Sequence, residues 1–356
     1  MDISITKADT LKDRPSDTGL GFGTHFTDHM FMMDYNPEKG WHKPCIVPYG
    51  PFSMSPATMV LHYGQAIFEG LKAYRTSTGD VQLFRPRDNF NRMNKSAEML
   101  CIPEIDTEFV MKALLTLVDM ERDWVPSEPG TSLYIRPTII ATDPYIGLRA
   151  SHTYRFFIIM SPVGAYYPEG FNPVKIWVTR DYVRAVRGGV GRAKTAGNYA
   201  ASLYATEIAH KDGYTQVMWL DGVELKYVEE VGSMNIFFVL GDEIVTPQLN
   251  GSILSGVTRD SVITMARSWG MKVTERRVAI DELFEAHAKG QLKEVFGSGT
   301  AAVISPVGNI KFHEKVIDIG DGTVGPIASR LFKELMDIQY GKAEDKQGWI
   351  VPVNPT

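Results

Sequence analysis

Cysteine is almost missing: Cys45 and Cys101 are the only two in 356 residues. That excludes a disulfide framework and fits a reducing compartment, with both thiols read as packing or surface groups. Long apolar runs are missing too. Segments such as 156–160 and 236–240 suit buried strands and are far too short to span a bilayer. The first residues lack a basic region followed by an apolar one, so no secretory signal is expected. No block of like charge occurs, and the net charge of -5 argues against a nucleic-acid footprint. There is no Walker A loop, no Gly-x-Ser-x-Gly elbow, no His-Glu-x-x-His helix and no Cys-x-x-Cys pair. What these absences leave is a soluble, cytoplasmic, globular protein.

The chain is too long for one ordinary core, so two domains are expected. Residues 1–20 are polar and aperiodic and read as an arm. Short apolar groups divided by Gly, Pro and Asn over 31–74 read as strands and turns. A helix is predicted over 88–101, where Phe90, Met93, Ala97 and Leu100 share a face, and another over 106–124. Segments 132–140 and 154–160 read as strands. A stretch rich in Pro and Gly, 162–173, is the linker candidate. The expected division is a small N-terminal domain over 1–167, an interdomain loop over 168–174 and a large domain over 175–356. In the latter, strands are predicted over 174–179, 216–220, 223–227 and 235–240, with helices over 199–212 and 259–269. Strands outnumber helices and the two are interspersed, which makes the fold class α+β.

The stretch richest in chemistry is 188–199, Gly-Gly-Val-Gly-Arg-Ala-Lys-Thr-Ala-Gly-Asn-Tyr. Glycine lets backbone approach a ligand closely. A lysine kept from water there loses proton affinity, and a neutral amine attacks carbonyls. Taken alone, Lys194 reads better as a solvated lysine in a flexible loop; the segments downstream reverse that balance. At 254–259 a small-residue turn opens into a helix whose backbone N–H groups suit a phosphate, though taken alone an ordinary cap by Ser255 is the better reading. Phe296-Gly297-Ser298-Gly299-Thr300-Ala301 nominally matches a dinucleotide fingerprint. The β-like residues that follow exclude that reading and leave a backbone nest for an oxyanion. Glu229 and Glu230 enter an apolar strand; a glutamate there can hold a proton on a ring nitrogen, and Glu229 is read as solvated. Strand alternation puts Tyr134 and Arg136 on one face, where phenol and guanidinium can orient a carboxylate. His25, Asp28 and His29 form a weak metal candidate, because Gly23, Phe26 and Thr27 argue against a helix there.

Assembled in order, these segments resemble the branched-chain amino-acid aminotransferases, fold-type-IV enzymes that use pyridoxal 5'-phosphate and share the D-amino-acid aminotransferase-like fold. The resemblance runs over nearly the whole chain. Its markers are 22–30 (Phe-Gly-Thr-His-Phe-Thr-Asp-His-Met), 61–70 (Leu-His-Tyr-Gly-Gln-Ala-Ile-Phe-Glu-Gly), 91–93 (Asn-Arg-Met), 134–137 (Tyr-Ile-Arg-Pro), 162–166 (Pro-Val-Gly-Ala-Tyr), 194–199, 230–235 (Glu-Val-Gly-Ser-Met-Asn), 296–301 and 349–353 (Trp-Ile-Val-Pro-Val). The resemblance implies that Lys194 condenses with the cofactor aldehyde and shuttles the proton. It implies that Glu230 pairs with the pyridine nitrogen and Tyr199 with the ring hydroxyl. Arg92, the N–H groups of Val257 and Thr258, and Thr300 are implied to hold the phosphate. Thr300, Ala301 and Tyr63 fall to the substrate carboxylate. Phe22, Phe68, Tyr166 and Ser233 fall to the side-chain pocket, with Tyr134 and Arg136 at its edge. Leu148 is implied to lie in a loop that reaches a neighbouring subunit, hence a homodimer.

The implied reaction moves an amino group between leucine, isoleucine or valine and 2-oxoglutarate. There are departures from the family's pattern. Mammalian members carry a Cys-x-x-Cys pair after the 296–301 turn, and 302–305 contain no cysteine, so a thiol switch there is ruled out. Thr195 and Ala196 replace a bulkier residue and a glycine, a change expected to be tolerated. Two readings compete: a fold-type-IV relative acting on D-amino acids or aminodeoxychorismate, and a non-enzymatic phosphate-ligand binder in which Lys194 is structural.

Overall fold

A computed structural model of the chain describes residues 1–164 and 171–355. The chain divides into two compact units. One comprises Met1–Tyr166, Ala193–Ala196 and Met336–Thr356; the other comprises Tyr167–Arg192 and Gly197–Leu335.

The first unit is built on β1 (Ser4–Ile5), β2 (His29–Asn36), β3 (Gly40–Pro48), β4 (Ala66–Phe68), β5 (Leu71–Arg75), β6 (Val81–Phe84), β7 (Ser132–Ala141) and β8 (Tyr154–Val163). Its helices are α1 (Met59–Tyr63), α2 (Pro86–Met99) and α3 (Thr107–Met120). The sheet order is β1-β3-β2-β8-β7-β5-β6, with β4 also on β7; apart from parallel β1–β3, the pairings are antiparallel. Helix α2 forms over the 3.6-residue apolar stripe Phe90, Met93 and Ala97, all fully buried. Asp106 caps α3 by accepting from the backbone of Glu108 and Phe109. These helices bury their stripes in one core with Phe31, Leu114, Phe156 and Ile158.

The second unit contains β9 (Val174–Val178), β10 (Gln216–Leu220), β11 (Val228–Val231), β12 (Met234–Leu240), β13 (Glu243–Pro247), β14 (Lys272–Arg276), β15 (Leu292–Gly299), β16 (Val303–Phe312) and β17 (Lys315–Asp318). Helices α4 (Ala196–Ala200), α5 (Leu203–Lys211), α6 (Val257–Ser268), α7 (Ile280–Ala288) and α8 (Pro326–Gln339) run between and after them. The order β11-β10-β9-β16-β15-β12 returns on itself through β11–β12, so six strands close a ring. Strands β13 and β14 extend it from the far end of β12. Both faces of β12 are buried, which is why Met-Asn-Ile-Phe-Phe-Val reads as a nearly unbroken apolar run rather than an alternation. Phe237 and Phe296, partners across β12–β15, are fully buried and stack with their centroids 5.2 Å apart.

A last strand, β18 (Ile350–Val353), pairs antiparallel with β6 and completes the first sheet. The mixture of mainly antiparallel sheet and interspersed helices is the α+β class. The expected strand over 223–227 is a turn instead. The Asp221 carboxylate accepts from the backbone of Val223, Glu224, Lys226 and Tyr227, which winds the segment around one side chain. The expected helix over 199–212 is interrupted at Ala201 and Ser202, between α4 and α5. Among the described residues no helix is long and apolar enough to cross a membrane.

Candidate active site

In the first unit, Lys194 is fixed by its own backbone. Its N–H donates to Ser96 Oγ on α2 at 2.9 Å, and its carbonyl accepts from Phe68 N at 3.0 Å. Thr195 pairs with Ile67 as an isolated bridge, and its hydroxyl donates to the Ala66 carbonyl at 2.8 Å. The lysine is half-buried rather than shut off from water, and its Nζ stands 4.8 Å from the Phe68 ring centroid.

Phe68, Lys72, Tyr134 and Arg136 share a sheet face, because Lys72 pairs with Tyr134 and Phe68 with Thr138 across antiparallel neighbours. Arg136 Nη2 donates to the Tyr134 hydroxyl at 3.0 Å, and the guanidinium lies 4.6 Å from the Phe68 centroid. Phe22 closes on Tyr134 with centroids 4.9 Å apart. Arg136 Nε is buried without a hydrogen-bond partner among the described residues. An aromatic wall thus carries one guanidinium nitrogen in want of an acceptor. On the same face, burial pushes the pKa of the Lys72 ammonium down to about 8.

Arg92 is buried on α2, and its Nε and Nη2 donate to the two oxygens of Glu69 at 2.8 and 2.7 Å. Glu69 also accepts from Asn89 at 2.8 Å and is fully buried, so the plane of the Arg92 guanidinium is set by a paired fork. The Tyr63 hydroxyl donates to the Ile146 carbonyl. Leu148, in the same loop, is 84% exposed. Tyr166 lies outside the described residues.

In the second unit, Glu230 is buried on β11. Its Oε1 accepts from Asn235 Nδ2 and from Leu254 N, each at 3.3 Å, and its Oε2 forms an ion pair with Arg184. Arg184, Asn198, Tyr199, Glu230, Ser233 and Leu254 line one small cavity. Glu229, read from sequence as solvated, is also buried: it accepts from Asn250 Nδ2 and Ser252 Oγ. The loop that carries Asn250 and Ser252 covers it.

Helix α6 begins at Val257, and the residue in its N-cap position is Gly256, which has no side chain to offer. Ser255 stands one place too early to be the ordinary cap that its position in the sequence suggests. An added Cβ at Gly256 would stand 2.0 Å from Asn235 Oδ1, so glycine is what admits Asn235 to Glu230 and to the Leu254 carbonyl. The N–H groups of the first turn, those of Val257 and buried Thr258 included, point out of the helix toward its positive end. Segment 296–302 is strand then turn, with Thr300 and Ala301 at the bend between β15 and β16. A second strand follows it, so the dinucleotide fingerprint fails on structure as it did on sequence. Val303, at φ 61°, leaves the bend in a conformation that costs a β-branched residue energy. Ser298, opposite Asn235 across β12–β15, has a buried Oγ without a partner among the described residues.

This donor set fits pyridoxal 5'-phosphate. In the first unit a backbone-held lysine suits its aldehyde; in the second a buried carboxylate suits its ring nitrogen and a helix start with glycine at its N-cap suits its phosphate. Sequence reasoning missed Glu69, Arg184, Asn235 and Ser298 as site residues. Their roles depend on cross-strand register and loop packing, which local spacing does not encode.

Comparison with known proteins gives the same direction. Residues 66–310 match the family model described as amino-transferase class IV. Branched-chain-amino-acid aminotransferase 2 of Bacillus subtilis is 55% identical over 99% of this chain and 97% of its own length. The solved branched-chain amino acid aminotransferase of Escherichia coli aligns with a TM-score of 0.77 and 28% identity, over 92% of this chain and 99% of that one. That of Thermoproteus uzoniensis, a thermophilic archaeon, was solved with norvaline and aligns with a TM-score of 0.74 and 27% identity, over 91% and 100%. A further solved enzyme of the same name, complexed with N-(5'-phosphopyridoxyl)-L-glutamate, aligns with a TM-score of 0.75 and 28% identity, over 92% and 98%.

Proposed function

The chain belongs to the class IV aminotransferases, and from that membership we propose that it moves the amino group between L-leucine, L-isoleucine or L-valine and 2-oxoglutarate. The products are the branched-chain 2-oxo acids and L-glutamate, with pyridoxal 5'-phosphate as cofactor. The names of its relatives and the ligand held by one of them support this reading. When bound, the cofactor supplies an aldehyde for the substrate amine and a ring that withdraws electrons from the α-carbon.

Lys194 provides the amine and then carries the proton to and from the α-carbon. Glu230 keeps the proton on the ring nitrogen, and Tyr199 bonds the ring hydroxyl. Arg92, the N–H groups of Val257 and Thr258, and Thr300 hold the phosphate. Thr300, Ala301 and Tyr63 take the substrate carboxylate. Phe22, Phe68, Tyr166 and Ser233 receive the aliphatic side chain, where each buried methylene contributes about 0.8 kcal/mol. Arg136 and Tyr134 take the distal carboxylate when glutamate occupies the same pocket. The enzyme works as a homodimer in the cytoplasm, with small molecules as its other partners.

The observation that carries the reading is the backbone clamp on Lys194, which leaves a lysine amine over the Phe68 ring. The test is an absorbance spectrum of the purified protein, before and after L-leucine and then 2-oxoglutarate. The expected result is a visible band that L-leucine removes and 2-oxoglutarate restores, with D-alanine inert. Lys194→Ala should show neither band nor turnover; leucine turnover that survives this change overturns the proposal.

A further inference from the structure

Ten residues before Lys194 in the chain, Arg184 sits in the segment that follows β9 with its side chain 9% exposed. It forms an ion pair with Glu230 Oε2. Its Nη2 donates to the Gly191 carbonyl at 3.1 Å and to the Ser252 carbonyl at 2.5 Å. The last two segments touch backbone to backbone: an added Cβ at Gly191 would stand 2.4 Å from Ser252 O. One buried guanidinium therefore gathers three pieces of chain: the carboxylate, the glycine turn before the lysine, and the loop that leads to α6.

The ion pair explains why Glu230 can be buried at all. A lone carboxylate in that position would be strongly disfavoured, and an adjacent guanidinium offsets its loss of water. With Asn235 and Leu254 on Oε1, Arg184 on Oε2 sets the orientation of the carboxylate plane. An ammonium would restore the charge but not the planar fork that reaches three acceptors at once.

We infer that Arg184 is a positioning residue that acts through Glu230 on the ring nitrogen of the cofactor. This rests on the proposed aminotransferase reading.

The test compares wild type, Arg184→Gln and Arg184→Lys. Each apo-protein is titrated with pyridoxal 5'-phosphate and with its 1-deaza analogue, which lacks the ring nitrogen, following tryptophan fluorescence. The visible band of the loaded proteins is recorded alongside. Arg184→Gln should weaken pyridoxal 5'-phosphate by about tenfold or more, the scale of a hydrogen bond to a charged group. It should change the 1-deaza analogue by less than about threefold and displace the visible band; Arg184→Lys should fall between. Equal weakening of both compounds means a purely structural role and overturns the inference, as do wild-type affinity and an unshifted band. If Arg184→Gln does not fold, Arg184→Lys is judged by the same comparison. A wild-type protein that binds neither compound sinks the aminotransferase reading itself, and the inference with it. Binding by wild type with indifferent variants sinks the inference alone.

Discussion

A guanidinium nitrogen without an acceptor, buried in an aromatic wall, is costly: an unmet donor of this kind is worth about 1–3 kcal/mol. Arg136 Nε carries that cost, so a carboxylate that reaches it should bind in proportion. Arg136→Ala is expected to lower kcat/KM for glutamate by roughly 10- to 100-fold, and for leucine by less than about threefold. Steady-state kinetics on both substrates decide it; a loss shared equally removes Arg136 from distal-carboxylate recognition. Lys72 makes a separate prediction about stability. Burial pushes its pKa down from 10.5 to about 8. Between those values the unfolded chain binds the extra proton, so stability rises with pH across the window and is lowest below 8. Tyr154 and Tyr340, pushed up by burial to about 12 from 10.0, act above 10 and outside most of that window. Lys72→Met should flatten the slope and stabilise the neutral protein by on the order of 1–3 kcal/mol, read as urea midpoints at about pH 7.5 and about pH 9.5. An unchanged slope would place the titration elsewhere.

At the scale of elements, the sequence disclosed what periodicity encodes. Phe90, Met93 and Ala97 announce α2, and the Tyr134–Arg136 alternation announces their shared face, which the hydrogen bond between them bears out. Features set by a single side chain stayed hidden. Asp221 gathers four backbone donors and converts an apparent strand into a turn. Buried Glu229 looked solvated because its partners, Asn250 and Ser252, come from a loop some twenty residues on. The start of α6 was legible as a small-residue turn, but the reason for Gly256 was not, since Asn235 comes from β12. Gly256→Ala should push Asn235 away from Glu230 and weaken pyridoxal 5'-phosphate by about tenfold, with far-ultraviolet circular dichroism unchanged. Wild-type affinity in that variant would show that Asn235 does not matter to the carboxylate.

At the scale of the molecule, the loop with Tyr145, Ile146 and Leu148 is 46%, 67% and 84% exposed at those residues, and Leu61 is 59% exposed. Exposed apolar groups of this kind suit the self-association proposed above, with a second copy of the chain as the occupant. Leu148→Asp should weaken self-association by about tenfold or more in sedimentation equilibrium, since a charge at a packed contact must be desolvated. A dimer of unaltered strength would remove this loop from the contact.

The closing strand of the first sheet lies almost at the end of the chain, and it is well stitched in. Arg85 N donates to the Trp349 carbonyl at 2.8 Å, Tyr340 donates from its hydroxyl to the Thr131 carbonyl at 2.5 Å, and β18 runs along β6. On the ribosome, the first unit must therefore wait with an unfinished edge while the second is translated, a delay on the order of ten to thirty seconds. In that interval an open β-edge invites pairing with other nascent chains. The order of manufacture thus runs against the order of completion: the unit begun first is finished last.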